Sequence, residues 1–179
     1  TNLNCTSKVK IGNWDVANYG NANYGTRSIE SAFAVSSNTG FAELCTEIGP
    51  DKVADMAHKC GIESDLESVP SITLGVEEVS VLEMAQAYAT IANGGTLHKA
   101  NCIEEIKDSS GQVIYHADTR GDKVLNTDLT QAAVEVMEGV VQKGTGRNAA
   151  LYNGQPVGGK TGTSEDYRDK WFCGITPQI

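Results

Sequence analysis

The chain has 179 residues, of which 40% are apolar, and a formal net charge of −9. A chain of this size and acidity suits one domain with a real core, and its charge argues against nucleic acid or an anionic membrane surface as a partner. It contains no run of about 18 apolar residues, so we expect no membrane insertion by this segment. Its five cysteines form no C-x-x-C pair, and we predict neither a metal site nor a cofactor.

Residues 1–27 are dense in asparagine, glycine and tyrosine, which predicts an irregular lead-in loop. Ser7 and Lys10 formally complete an S-x-x-K pattern, the nucleophile motif of some serine enzymes. That motif needs a helix, on which the lysine lies one turn from the serine on the same face. No helical period follows Lys10, so we interpret the match as a coincidence.

Residues 28–95 carry helical periods and are predicted to form the helical part of the fold. Apolar residues recur at spacings of three and four on both sides of the polar triplet Ser36-Ser37-Asn38. A single helix through this triplet would bury two hydroxyls and an amide, at a cost in free energy. The pattern therefore predicts one helix that ends near Ser36 and a second that starts near Asn38, with Asn38 as its cap.

The last helix of this part is predicted to be a central one. Ser80 and Glu83 form the pattern of a capping box, after which the helix runs from Val81 to Asn93. Its apolar residues lie on nearly all sides, which is typical of a buried helix. Gly94 is predicted to end it.

The rest of the chain predicts β structure around one more helix. Residues 96–117 form two strand-like runs with a turn at 108–111, which predicts a hairpin. Residues 127–179 predict a helix, then a strand containing Lys160, then a further strand. Together these elements predict an α+β fold in which a helical part packs on a partial antiparallel sheet.

Lys160 lies among glycines and threonines and allows two interpretations. From Gly154 to Thr161 the residues fit G-x-x-x-x-G-K-[ST], the phosphate-binding loop of nucleotide-binding proteins. That loop should follow a buried strand and open a helix, but here Pro156 interrupts it and a strand-like run follows. The second interpretation is the K-T-G element of penicillin-recognising serine enzymes, which asks for a strand with an edge-facing lysine. The sequence favours K-T-G.

Two motifs carry a resemblance to a known family, S-S-N at 36–38 and K-T-G-T at 160–163. The chain resembles the transpeptidase domain of penicillin-binding proteins, most closely the bifunctional class A type of high molecular weight. The segments that follow the family's pattern are residues 31–38, 74–85, 88–95, 144–147 and 166–172. The resemblance implies an incomplete serine β-lactamase/transpeptidase-like fold, with residues 1–179 as the C-terminal part of one transpeptidase domain.

The resemblance also implies roles in acyl transfer from a D-Ala–D-Ala stem peptide. Ser36 would relay a proton to the leaving amine, Asn38 would hold a backbone carbonyl of the substrate, and Lys160 would supply positive charge. The residues expected to bind substrate are Ser37, Thr161, Gly162 and Thr163. The two threonine hydroxyls would bind the substrate carboxylate, which β-lactams mimic, and the N–H of Thr163 would donate to the oxyanion.

The resemblance further implies that the nucleophile lies outside this chain. The family's S-x-x-K element, with the acylated serine, belongs upstream of residue 1, so the isolated chain is expected to be inactive. Its expected partners are the stem peptide, β-lactams and the missing N-terminal part of its own domain. A glycosyltransferase domain and a membrane anchor elsewhere in the protein, at the extracytoplasmic face of the bacterial cell membrane, are also implied.

Three alternatives stay open. The first is a class B or β-lactam-sensor relative, against which the segment at 166–172 favours class A. The second is a penicillin-binding-like module that is not catalytic because the upstream serine has been lost, which only the upstream sequence can decide. The third is a phosphate-loop protein, which nucleotide would stabilise by mass action.

Overall fold

The computed structural model of the protein describes residues 1–177, apart from the side chain of Glu165. The helices are α1 (Ile29–Ala34), α2 (Asn38–Ile48), α3 (Pro50–Lys59), α4 (Val81–Ala92) and α5 (Thr127–Lys143). The strands are β1 (Asn2–Cys5), β2 (Lys8–Ile11), β3 (Trp14–Ala17), β4 (Gly25–Ser28), β5 (Thr96–Leu97), β6 (Glu105–Lys107), β7 (Val113–His116), β8 (Asp122–Lys123), β9 (Gly158–Thr163) and β10 (Lys170–Ile175). Short 3-10 turns lie at Tyr19–Asn21, Pro70–Leu74, Arg147–Ala149 and Glu165–Tyr167.

Within the described residues the strands form antiparallel pairs: β1 with β4, β2 with β3, β5 with β8, β6 with β7, and β9 with β10. The longest pair is β9–β10, with six residues in each strand. Helix α5 packs against β9, and α4 packs against β10. The prediction of an α+β fold with helices on a partial antiparallel sheet is confirmed. Among the residues described, no helix combines the length and the hydropathy needed to cross a bilayer.

Helix α5 is the element on which the other parts of the fold meet. It packs against α1, α4 and β9, and Val140 in its last turns is fully buried. Where α5 ends, Gly144 approaches the end of α1 so closely that an added Cβ would overlap the carbonyl oxygen of Ala34. The N–H of Thr145 donates to that same oxygen at 3.0 Å. Glycine is required here because the obstacle is backbone, which cannot move aside as a side chain could.

Residues 1–27, predicted to be an irregular loop, instead contain four short strands. Leu3 and Cys5 of β1 are buried beside Ala32 of α1, and β1 pairs with β4. Strands β2 and β3 form a hairpin whose turn contains Gly12, at φ +59°. Only β1 and β3 bury apolar side chains, Leu3 and Cys5 in β1 and Val16 in β3, so no long alternating run marks these strands in the sequence.

Helix α4 begins at the predicted capping box, with Ser80 Oγ accepting from the N–H of Glu83 at 3.2 Å. The prediction that α4 is a central, buried helix is wrong for its first turn in the described chain, because Val81 and Leu82 are 68% and 63% exposed. Helices α1, α4 and α5 instead border an open apolar groove of about 430 Å³. The residues that line this apolar groove include Phe33, Tyr88, Ile91, Ala132, Val136 and Met137.

The predicted hairpin at residues 96–117 is shorter than expected. Strand β5 pairs with β8, beyond the predicted segment, and only β6 and β7 form a hairpin. Its turn lies where predicted, with Asp108 Oδ1 accepting from the N–H groups of Ser110 and Gln112. All the residues of β6 and β7 are exposed. The hairpin therefore adds little to the core.

Glu83 caps helix α4 and also holds the loop that precedes the helix in place through hydrogen bonds. Its carboxylate accepts from the N–H groups of Glu63 and Ser64, from the Ser64 hydroxyl, and from the N–H and hydroxyl of Ser80. These bonds, with that from the Ser80 hydroxyl the largest cause, lower the pKa of Glu83 from its usual 4.5 to about 2.

We predict that Glu83 stabilises the fold in a pH-dependent way. Because its pKa is lower in the folded state, its contribution is present above pH about 4.5 and is lost as the pH falls towards about 2. Glu83→Gln should lower the melting temperature at neutral pH and flatten the stability curve over this acid window. The control is Glu78→Gln, at an exposed position in the same loop. An unchanged acid limb in the Glu83 variant would contradict the prediction.

Candidate active site

Ser36 ends helix α1 in a geometry that usually calls for glycine. The N–H of Ser36 donates to Phe33 O and the N–H of Ser37 donates to Ala32 O, both at 3.0 Å, which are the two bonds of a Schellman motif. Ser36 itself has φ +56°, in the left-handed region that costs a residue with a Cβ about 1–2 kcal/mol. The predicted helix end at Ser36 is confirmed. A serine held in this strained position points to a function for its hydroxyl.

Lys160 lies on β9 and reaches Ser36 across the fold. Its Nζ donates to Ser36 Oγ and to the carbonyl oxygen of Thr161, both at 2.7 Å. The same ammonium lies 5.7 Å from the centroid of the Phe33 ring, within the range of a cation–π contact. Burial lowers the pKa of Lys160 from 10.5 to about 8, because desolvation disfavours the charged form. The two sequence motifs therefore meet through one hydrogen bond.

Ser37 and Asn38 differ from their predicted roles. Ser37, and not Asn38, caps α2, since its Oγ accepts from the N–H of Gly40 at 3.2 Å. Ser37 is 1% exposed, so the prediction that it binds substrate is not supported. Asn38 is the first residue of α2, and its side-chain amide donates to the carbonyl oxygen of Ala17 at 2.9 Å. This bond fixes the Asn38 side chain against the N-terminal strands.

Asn18 is the buried centre of the polar network behind this turn, and no sequence pattern singled it out. It is 3% exposed. Its Nδ2 donates, at 2.9–3.3 Å, to the backbone carbonyl oxygens of Cys5, Thr6 and Ala22. Its Oδ1 accepts from the Ser37 hydroxyl at 3.2 Å and from the N–H of Thr39 at 3.1 Å. Asn18 thus joins the N-terminal strands to the turn that carries Ser36 and Asn38.

The second half of β9 presents hydroxyls and an open backbone. Thr161 Oγ1 lies 2.6 Å from Thr145 Oγ1, so a third hydroxyl stands beside the strand. Gly162 and Thr163 are exposed. A Cβ at Gly162 would meet only Trp171 Cβ, at an ordinary 3.6 Å. Packing within the chain therefore does not require glycine at this position. A ligand backbone that lay against the strand would require it.

The phosphate-loop interpretation of residues 154–161 is wrong. Lys160 and Thr161 lie inside β9, and the chain continues through a 3-10 turn into β10. A phosphate loop would continue into a helix whose first N–H groups face the phosphates. In the part of the chain that the structure describes, no three His, Cys, Asp or Glu side chains gather as metal ligands.

Comparison with known sequences finds similarity along almost the whole chain. A family model, the penicillin binding protein transpeptidase domain, matches residues 2–178. Penicillin-binding protein 1A of Rickettsia typhi is 33% identical and that of Aquifex aeolicus is 34% identical, each over 93% of this chain. These alignments cover 24% and 23% of the two relatives, so the chain spans about a quarter of their length.

Solved structures agree with this match. The PonA1 protein from Mycobacterium tuberculosis in complex with penicillin V superimposes with a TM-score of 0.88 at 27% identity, over 98% of this chain and 51% of that one. The D,D-transpeptidase domain of a peptidoglycan glycosyltransferase from Eggerthella lenta gives a TM-score of 0.83 at 27% identity, over 99% and 52%.

We predict that Ser36→Gly gives a more stable protein than Ser36→Ala. Both variants lose the hydroxyl and its bond to Lys160, but only glycine adopts φ +56° without strain. The difference in the free energy of unfolding should be about 1 kcal/mol in favour of glycine, measured by chemical denaturation. Equal stability of the two variants would show that the left-handed geometry at Ser36 is not a source of strain.

We predict that Asn18→Ala destabilises the protein by about 2–4 kcal/mol, because it leaves buried carbonyl oxygens and the N–H of Thr39 without their partner. Denaturant unfolding measures the loss. The matched control is Asn101→Ala in an exposed loop, which should have no measurable effect. A loss below about 1 kcal/mol would mean that the network is not a structural centre.

Proposed function

Because this chain belongs to the penicillin-binding protein transpeptidase family, we propose that it is part of a serine D,D-transpeptidase that cross-links peptidoglycan stem peptides and is acylated by β-lactams. The observation that carries this proposal is the 2.7 Å hydrogen bond from Lys160 to Ser36. It joins the S-S-N and K-T-G elements at one point, with Asn38 and the exposed end of β9 beside it. Such an arrangement supplies a proton relay, a positive charge and substrate-binding groups together.

Ser36 is proposed to relay the proton to the leaving nitrogen. Lys160 donates to Ser36 Oγ, so the hydroxyl proton of Ser36 points to a different acceptor. As that proton moves to the nitrogen and the C–N bond breaks, negative charge develops on Oγ. The lysine ammonium stabilises this charge in a site that is partly buried, where electrostatic effects are stronger than in water. A pKa of about 8 keeps Lys160 mainly charged at neutral pH.

The carboxylate of the donor peptide is proposed to bind at the hydroxyls of β9. Thr161 and Thr163 lie on one face of the strand, because side chains alternate. The Lys160 ammonium bonds to the carbonyl oxygen of Thr161 at 2.7 Å and adds positive charge close to these residues. Thr145 stands within 2.6 Å of Thr161 and adds a hydroxyl to the same place. The carboxylate of a β-lactam would use the same groups. The N–H of Thr163 would donate to the oxyanion.

Asn38 is proposed to hold the backbone of the donor. Its amide has two N–H donors and an oxygen acceptor, and the carbonyl oxygen of Ala17 takes one donor at 2.9 Å. A side chain fixed at one end in this way can present its remaining groups to a substrate carbonyl or N–H with little loss of entropy.

The nucleophile is proposed to come from the part of the longer protein outside these 179 residues. The S-x-x-K match at Ser7 and Lys10 is not the proposed source, because Ser7 lies in a bend and Lys10 on β2, so no helix places the two side chains one turn apart on the same face. The apolar groove beside Phe33 and Ser36 is open to a further element, and we propose that the N-terminal part of the domain covers it. Isolated, the chain would bind but not react.

The location and wider architecture are proposals from the family. We propose that the whole protein acts at the extracytoplasmic face of the bacterial cell membrane, with an anchor and a class A glycosyltransferase domain outside this chain. The curated relatives are named penicillin-binding protein 1A, and one similar solved domain is named as part of a peptidoglycan glycosyltransferase.

We predict that the full-length protein gains the mass of one benzylpenicillin, and that the 179-residue chain alone does not. Lys160→Ala should slow acylation roughly 10²–10³-fold, the usual effect of removing one group that stabilises transition-state charge. Lys52→Ala, at an exposed position on α3, is the control and should react at the normal rate. Intact mass over time gives the rate, and peptide mapping gives the acylated serine.

Two outcomes would contradict this assignment. An adduct on Ser7 or Ser36 of the isolated chain would place the nucleophile inside these residues. A full-length protein that never reacts would favour the alternative of a penicillin-binding-like module that is not catalytic.

A further inference from the structure

Two exposed tyrosines far apart in sequence meet beside the candidate active site. The hydroxyls of Tyr19 and Tyr167 are 2.8 Å apart, although 148 positions separate the residues. The two residues are 71% and 59% exposed. Neither belongs to the S-S-N or K-T-G element, so the roles proposed above leave this contact unexplained.

Tyr19 extends from the wall of the site that carries Asn38. The Asn38 amide bonds to the carbonyl oxygen of Ala17, and Asn18, the next residue, is buried with its side chain fully engaged. Tyr19 follows directly, in the 3-10 turn Tyr19–Asn21. The backbone of Tyr19 is therefore held firmly while its ring lies in solvent.

Tyr167 extends from the opposite wall, which is β9. It lies four residues past Thr163, in the turn that joins β9 to β10. The backbone bond from Ser164 N–H to Asp169 O closes this turn, and the Asp169 N–H donates to Ser164 Oγ. Asp166 and Tyr167 both have positive φ, 56° and 57°, which side chains rarely adopt. The turn thus fixes the direction in which the Tyr167 ring leaves the strand.

The contacts between the two walls have an order. Lys160 and Ser36 meet at the inner end, and Tyr19 and Tyr167 meet at the outer end. Along β9 the chain runs from Lys160 through Thr163 to the turn of Tyr167. A peptide that lies between Asn38 and Thr163 therefore has the lysine–serine contact on one side and the tyrosine pair on the other.

We propose that the Tyr19–Tyr167 pair is a gate at the outer end of the substrate groove, which opens to admit the donor residues that precede the terminal D-Ala–D-Ala. This inference rests on the proposed function and adds a specificity-determining contact to it. A compact acyl donor fits between the two contacts and leaves the pair closed. A donor with a longer peptide part must separate the two hydroxyls.

The energetics suit a gate of this kind. A hydrogen bond between exposed hydroxyls is modest in strength, because water can replace it, so a bound peptide can break it. The bond raises the pKa of Tyr19, because it favours the neutral hydroxyl. Once parted, each ring keeps an apolar face, which suits contact with a peptide chain and which phenylalanine would retain.

The test compares two β-lactams on the full-length protein. One is 6-aminopenicillanic acid, which has no acyl side chain, and the other carries a stem-peptide dipeptide on its 6-amino group. Tyr19→Phe and Tyr167→Phe remove one hydroxyl each and keep the rings. Each should raise the ratio of the peptidyl to the compact acylation rate roughly two- to tenfold, the effect of one lost hydrogen bond. The double variant should show no further gain, since either change breaks the same bond.

Tyr152→Phe is the matched control, since Tyr152 is a fully exposed tyrosine, and it should leave the ratio unchanged. Thermal unfolding of each variant reports any loss of fold separately. An unchanged or lower ratio, an equal change for both β-lactams, or additive effects in the double variant would overturn the gate while the proposed function stands. A wild-type protein that neither compound acylates would overturn both.

Discussion

The site depends on one hydrogen bond, from the Lys160 ammonium to Ser36 Oγ, between residues 124 positions apart. The bond can form only because α1 and β9 both pack on α5, and because the ends of α1 and α5 meet at Ala34 and Gly144. The rest of the fold positions the two residues of this contact. Helices set the distance between the two motifs, and the N-terminal strands hold the serine-bearing turn from behind.

The conformational strain of Ser36 and the polar network around Asn18 belong together. A serine in the left-handed region persists only when its surroundings leave it no alternative. Asn18 supplies that constraint, because it bonds Ser37 and Thr39 on one side and three carbonyl oxygens of the N-terminal segment on the other. A buried network of this kind rigidifies a site when every member is satisfied, and no buried side-chain polar atom of the described residues lacks a partner.

The sequence predicted the structural features that depend on neighbouring residues. The capping box at Ser80, the helix end at Ser36 and the lysine-bearing strand each depend on residues within a few positions of one another, so their patterns predicted them. The strands within residues 1–27 and the partners of Asn18 depend on pairing across the chain, which no local pattern contains. Thr145 shows the same limit. It stands beside Thr161 only because a helix end and a strand meet in space. The sequence predicted Asn38 as the cap of α2, whereas Ser37 caps it. The Asn38 amide instead donates to the carbonyl oxygen of Ala17, a contact across the chain that the local sequence does not show.

The contact between Gly144 and Ala34 has a consequence for how this protein can change in evolution. A substitution that crowds a side chain can be compensated by a smaller neighbour, but at Gly144 the obstacle is a main-chain oxygen that every residue at position 34 would keep. No second-site exchange of side chains can make room. Adaptive change in the geometry of the site, under selection by an inhibitor for instance, must therefore arise at other positions. At Gly12 and Gly20 an added Cβ would meet no atom within 4 Å, so the cost of a side chain there comes from the positive φ of these glycines and not from crowding.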